Sequence, residues 1–180
     1  MVIKLNKKLI INIIGTIFIF LIGFIIHNLY EWFPYGLTSI FAPVNESIFE
    51  HIKMIFTSYM IWIIVKHFIL KKNNLKENSF VFKELLTTIF SIIIFLIIFL
   101  PIYNKFGENL SLTLLIYFIS IALSFIFNYL INIKKESRTL NIIGVISIII
   151  IYIITTYLTY NPIICNFFLD PTNNSYGLNK

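Results

Sequence analysis

Apolar residues run along this chain in long blocks, and polar residues gather between the blocks. A helix needs about 20 predominantly apolar residues to cross a hydrocarbon core of roughly 30 Å. Four blocks reach or approach that length: Leu9–Tyr30, Leu85–Pro101, Leu110–Ile131 and Leu140–Tyr160. Leu85–Pro101 is short and is expected to take in Phe80–Phe82. A fifth segment, Ile48–Leu70, is uninterrupted only from Met54 to Val65, with Glu50, His51 and Lys53 before that middle and Lys66 and His67 after it. Charges near helix ends snorkel to the interface, so this segment is also expected to span. The pattern predicts an all-α polytopic membrane helix bundle of five transmembrane helices, folded as one domain over residues 1–180.

The basic residues orient the bundle. With five spans, Lys4, Lys7, Lys8, Lys66, Lys71, Lys72, Lys76, Lys83, Lys134, Lys135 and Arg138 fall on one side, and Lys53, Lys105 and Lys180 on the other. Short loops rich in Lys and Arg stay in the cytoplasm. The expectation is therefore N-terminus in and C-terminus out, in a bacterial cytoplasmic membrane. The first span follows three lysines, but it is too long for a signal-peptide core and no small-residue cleavage site follows it, so it reads as retained.

Composition narrows the class further. The chain is 58% hydrophobic and 12% charged, with a net charge of +6 and a mean hydropathy of +0.89. An ordinary soluble domain is excluded. The lipid bilayer, with its anionic inner leaflet, is the expected partner of the basic loops. Nucleic acid is not, because no basic stripe carries interleaved aromatics. A single cysteine, Cys165, leaves no internal disulfide and no thiolate metal cage. Heavy use of Ile, Asn, Lys and Phe, with only two alanines (Ala42 and Ala122), points to an AT-rich bacterial genome.

Against this background "APVNESIFEHIKMIF" (Ala42–Phe56) concentrates Glu46, Glu50, His51 and Lys53 at the start of the second span. On the same side, Thr16, Phe20, Gly23, His27 and Glu31 form one stripe of the first span, which directs His27 and Glu31 into the bundle. A second polar line, Thr113, Tyr117, Ser120, Ser124 and Asn128, and a third, Asn141, Gly144, Thr155 and Thr159, are expected to serve helix packing. "SIFE" fits a capping box, which accounts for Asn45, Ser47 and one glutamate. Capping does not account for a second carboxylate one helical turn away, nor for two histidines nearby.

Two carboxylates in a partly dry site require a proton or a cation between them. Two imidazoles and one carboxylate suit zinc or another divalent metal with an open position. The candidate ligands are His27, Glu50 and His51, with Glu46 as candidate general base for a metal-bound water. Lys53 is expected to snorkel outward to water. Glu31, Asn45, Asp170 and Tyr176 are the expected supporting or lid residues, the last two from the tail "FFLDPTNNSYG", which either folds over the rim or stays solvated. His67 is expected to be an ordinary interfacial residue. A purely structural polar rim is the competing reading of the whole cluster.

"PVNESIFEH", a histidine ending the first span and a C-terminal "DP…YG" together resemble a family of small bacterial membrane proteins of unknown function. The resemblance covers essentially the whole chain. It implies a multi-pass membrane protein of this size and carries no catalytic or ligand residues. Three functional classes follow from the residues: an intramembrane metal-dependent hydrolase acting on a lipid or envelope substrate, a small transporter, and a structural or accessory subunit. Against the transporter, no helix centre shows an obvious ion pair or a Gly/Pro break.

Overall fold

The computed structural model describes residues 7–107 and 109–178; Lys4 and Lys180 of the charge argument lie outside them. Five long helices, each apolar enough to cross a membrane, form the body: α1 (Lys7–Trp32), α3 (Ile48–Lys72), α4 (Phe80–Phe106), α5 (Leu110–Leu130) and α6 (Arg138–Tyr160). A short α2 (Gly36–Phe41) lies in the connection between α1 and α3, and a two-stranded hairpin, β1 (Leu169–Asp170) with β2 (Ser175–Tyr176), closes the tail.

The helices begin and end where their capping chemistry puts them. Ser47, Asn109 and Ser137 each accept a backbone N–H from three residues on, starting α3, α5 and α6. Gly107, with φ of +70°, ends α4 by donating its N–H to the Tyr103 carbonyl at 2.8 Å, in a conformation a side chain would disfavour. The α4 helix takes in Phe80–Phe82, as expected, and runs five residues beyond Pro101. It continues through the proline although Pro101 has no N–H to donate to the Ile97 carbonyl.

In the bundle α1 packs on α3 and α5, α4 packs on α5, α3 and α6, and α2 rests on α6 and α1. The most buried helix is α3, the least apolar span, while α6 is the most peripheral. Trp62, Tyr59, Phe56, Ile19 and Ile121 form the fully buried centre. Small residues allow the close approaches: a Cβ on Gly23 would lie 2.5 Å from the Tyr117 hydroxyl, and one on Gly15 would meet the rings of Phe125 and Trp62. Tyr117, Ser120, Ser124 and Asn128 of the expected α5 line are all buried, as are Gly144, Thr155 and Thr159 on α6.

Antiparallel alternation brings Lys7, Lys8, Lys71, Lys72, Lys83 and Arg138 to one end of the bundle, the lysine-rich end. The C-terminal end of α1, α2, the N-terminal end of α3 and the tail hairpin form the opposite end.

Candidate metal centre at the hairpin end

His27 sits in the next-to-last turn of α1, His51 in the first turn of α3, and Glu46 in the connection just before the Ser47 cap. The nitrogens His27 Nε2 and His51 Nε2 lie 3.4 Å and 3.5 Å from the same oxygen, Glu46 Oε2. The two rings lie tilted at 54° to each other with centroids 5.3 Å apart. The three ligand atoms all fall within 4.8 Å of one another, and they form the group of metal-ligating side chains found among the described residues. All three are half-buried, so the site is open to a solute yet partly dried.

The local chain holds His51 in one tautomer. Its Nδ1 lies 2.9 Å from the Ser47 carbonyl, which only accepts, so Nδ1 carries the proton and donates. In a neutral ring Nε2 then carries the lone pair, 3.5 Å from a carboxylate oxygen. Two acceptors at 3.5 Å call for a positive charge between them or on one of them. Ligands on tetrahedral zinc with bonds of roughly 2.1 Å stand about 3.4 Å apart, which is the spacing seen here. A backbone carbonyl behind a histidine is also the usual outer support of a metal-bound imidazole. A hydrogen bond from His27 holds the Glu46 carboxyl below the usual carboxylate range; attraction to His27 and His51 adds to the effect, and burial partly opposes it.

The structure divides the expected ligand set. Glu46 joins the two histidines, and Glu50 does not. With Ser47 as the cap, α3 begins at Ile48, so Glu46 lies before the helix and the two carboxylates are not helical i, i+4 neighbours. Glu50 turns inward, 1% exposed, where it accepts from the Val44 amide at 3.2 Å and the Thr159 hydroxyl at 2.7 Å. The capping box is half made: Ser47 Oγ caps the Glu50 N–H, but the Glu50 carboxylate does not reach back, and Asn45 Oδ1 takes the Ser47 N–H instead.

The expectation for Lys53 is overturned. Its side chain is fully buried, 2.5 Å from Glu50 and 2.9 Å from both the Ser39 carbonyl and the Thr159 hydroxyl. The unforeseen α2 supplies that carbonyl and roofs the charge. An ammonium offered three acceptors inside the protein has no need to snorkel.

The tail folds over the rim. Phe49 donates its N–H to the Phe167 carbonyl at 3.1 Å and packs its ring 4.5 Å from Phe168. Asn45 Nδ2 donates to the Gly177 carbonyl at 3.0 Å. Asp170 is buried and receives the Thr172 N–H and hydroxyl, so it first of all builds the hairpin turn. Together with Glu31, Asn45, Glu46 and His27 it also lines a cavity of about 340 Å³. Tyr176 pairs with Leu169 across the hairpin and is half-buried. Leu169 and Pro171 roof a second cavity, of about 190 Å³, which His27, Glu46 and His51 also line.

A second ionic centre escaped the reading of the sequence. Near the lysine-rich end Lys66, fully buried, lies 2.7 Å from Glu84 and 3.0 Å from Glu77. Asn128 donates to Glu84 and to Thr87, each at 2.8 Å. Glu84 Oε2 and Asn128 Oδ1 find no donor among the described residues. Lys66 is grouped with the basic residues of one side, and Glu84, between Phe80–Phe82 and the Leu85–Pro101 block, is not singled out. The available signal was the stripe Glu84, Thr87, Thr88 and Ser91, polar at helical spacing and fully buried. The ion pair missing from the helix centres is thus present one to two turns inside the helix ends. His67 is exposed and lies in ring contact with Phe68 and Phe80.

Residues 1–178 match the model of DUF6512, a family of unknown function, and the chain belongs to that family. No curated protein and no solved structure matches it.

Proposed function

We propose that the protein is a metal-binding integral protein of a bacterial cytoplasmic membrane, with its N-terminus in the cytoplasm and a divalent-metal site at the outer rim. His27, Glu46 and His51 are the ligands, and the donor set suits zinc with at least one open position. The observation that carries this reading is the convergence of His27 Nε2 and His51 Nε2 on one carboxylate oxygen, Glu46 Oε2, at 3.4 Å and 3.5 Å, with His51 Nδ1 held by the Ser47 carbonyl. Glu50, paired with Lys53, is left out of the ligand set. The "PVNES…EH" and "DP…YG" segments then have a shared purpose: the first positions Glu46 and His51, and the second covers them.

A hydrolytic use of the site is supported by one further feature. With Glu46 on the metal, the carboxylate of Glu31 lines the adjoining cavity beside His27 and Glu46 and is the group free to act as general base toward a metal-bound water. The lipid bilayer is the partner this reading requires; nucleic acid has no place in it.

Elemental analysis of protein purified without a histidine tag tests the site. Wild type should carry close to one metal per chain, and His51→Ala should lose at least about 100-fold in affinity, since even outer-shell changes cost 10–100-fold. A metal-free wild type that folds normally would make "NESIFEH" a structural corner. Fluorescent reporters fused after Lys72 and Lys135 should be bright and one fused after Lys180 dark; a bright C-terminal fusion would reverse the orientation.

A further inference from the structure

Two cavities meet at the histidines. The upper one, of about 190 Å³, holds Glu46, Tyr103 and Asn109 under the tail hairpin. The lower one, of about 320 Å³, runs down into the bundle between α1, α3, α4 and α5 and is walled largely by Phe24, Met54, Phe95 and Leu114. His27, His51, Leu110 and Thr113 line both. The two chambers thus share a wall that holds two of the candidate metal ligands, His27 and His51. At the edge of the lower chamber, Phe24 is 41% and Leu110 75% exposed, on the flank of a membrane-spanning bundle. That flank is where lipid lies, so a hydrocarbon chain can enter sideways without crossing water.

We infer that this double chamber binds a single-chain neutral lipid of the acylglycerol class, its chain in the lower cavity and an ester or hydroxyl oxygen of its head at the metal site. The inference rests on the metal reading above and adds the ligand. A cavity of about 320 Å³ takes one chain rather than two, and burying each CH₂ from water contributes about 0.8 kcal/mol, although a lipid drawn from the bilayer gains less. Charge selects the head group. Glu46 offsets half the charge of a divalent ion, and the carboxylates of Glu31 and Asp170, which line the cavity on its other side, offset the rest. No lysine or arginine lines either chamber among the described residues. A phosphate or free carboxylate therefore has no cationic side chain to meet, while the Asn109 side-chain amide can donate a hydrogen bond to a neutral oxygen head.

The test uses full-length protein in phosphatidylcholine nanodiscs with a monoacylglycerol carrying a mid-chain diazirine. Photolabelling should fall on Met54, Phe95 and Leu114, and unlabelled monolaurin should compete at least 10-fold better than laurate. Leu114→Trp, which fills the lower chamber, should cut labelling at least 10-fold and leave the metal content unchanged. Leu110→Trp, at an exposed mouth position that tolerates bulk, should slow labelling without affecting folding. Labelling spread over bundle-surface residues such as Ile97 and Ile149, as for bulk lipid, would overturn the inference, and so would laurate competing equally well. A metal-loaded protein without saturable labelling overturns the lipid inference alone. A metal-free wild type overturns the metal reading, and with it the head-group contact.

Discussion

At the lysine-rich end, a buried ammonium lies 2.7 Å and 3.0 Å from two carboxylates; at the hairpin end, a half-exposed carboxylate lies 3.4 Å and 3.5 Å from two imidazole nitrogens. The first centre carries its own countercharge. Lys66 answers Glu84 and Glu77, just as Lys53 answers Glu50 on the same helix. In the second, no lysine or arginine pairs with Glu46 among the described residues, and the two nitrogens stand from its oxygen at a spacing that suits two ligands sharing one ion. The difference separates ionisable residues that serve the fold from those that await something else. Groups completely withdrawn from water must be neutralised by the protein itself, because an unpaired charge there costs several kcal/mol. Groups at a half-open rim can leave that task to a solute.

The largest effect expected from breaking this comparison is at Lys66. Lys66→Met should destabilise the protein by about 3–5 kcal/mol, since two buried carboxylates lose their countercharge. Adding Glu84→Leu should return much of the loss. Denaturant unfolding in mixed micelles measures both, and a loss under about 1 kcal/mol for the single change would mean that water already reaches the centre.

The paired glutamates give a sharper contrast. Glu50→Gln leaves Lys53 buried without an opposite charge and should cost roughly 2–5 kcal/mol, with metal content retained. Glu46→Gln should change stability by less than about 1 kcal/mol, as a half-exposed group should, and abolish metal binding. If the two variants exchange phenotypes, the division between structural and ligand carboxylate is reversed.

Acid should act mildly on the rim. Glu46 is held below its ordinary value of about 4.3, so its ionised contacts contribute stability above that pH. The contribution disappears as pH falls through the lower, folded value. The metal should leave earlier, because protons compete for both imidazoles. Metal content and unfolding midpoint followed from pH 8 to pH 3 should therefore fall in two separate steps, metal first; simultaneous loss would tie the metal to the fold as a whole.

The smallest effect is expected at the tail. Asn45→Ala removes the bond to the Gly177 carbonyl and the Ser47 N–H acceptor, at a cost of about 1–2 kcal/mol. Amide exchange should quicken in residues 167–178 and stay unchanged in α4 and α5. Uniform quickening would show that the tail is part of the core rather than a cover on it.

The five spans were legible because crossing a membrane is a demand on length and apolarity alone, and Leu110–Ile131 and Leu140–Tyr160 meet it within about a turn of the observed helices. The polar line on α5 was legible for a similar reason, since helical spacing alone puts Tyr117, Ser120, Ser124 and Asn128 on one face. Residue type also made His27, Glu46 and His51 conspicuous. What the sequence could not assign was which carboxylate meets the histidines. That depends on the start of α3 at Ile48, which leaves Glu46 before the helix, and on α2 and Thr159, distant in sequence, which together give Lys53 and Glu50 an interior. Glu77, Glu84 and Lys66 likewise become one centre only when α3, α4 and the loop between them come together. Pairing of charges is a property of positions in space, set by packing between helices, and no local pattern encodes it.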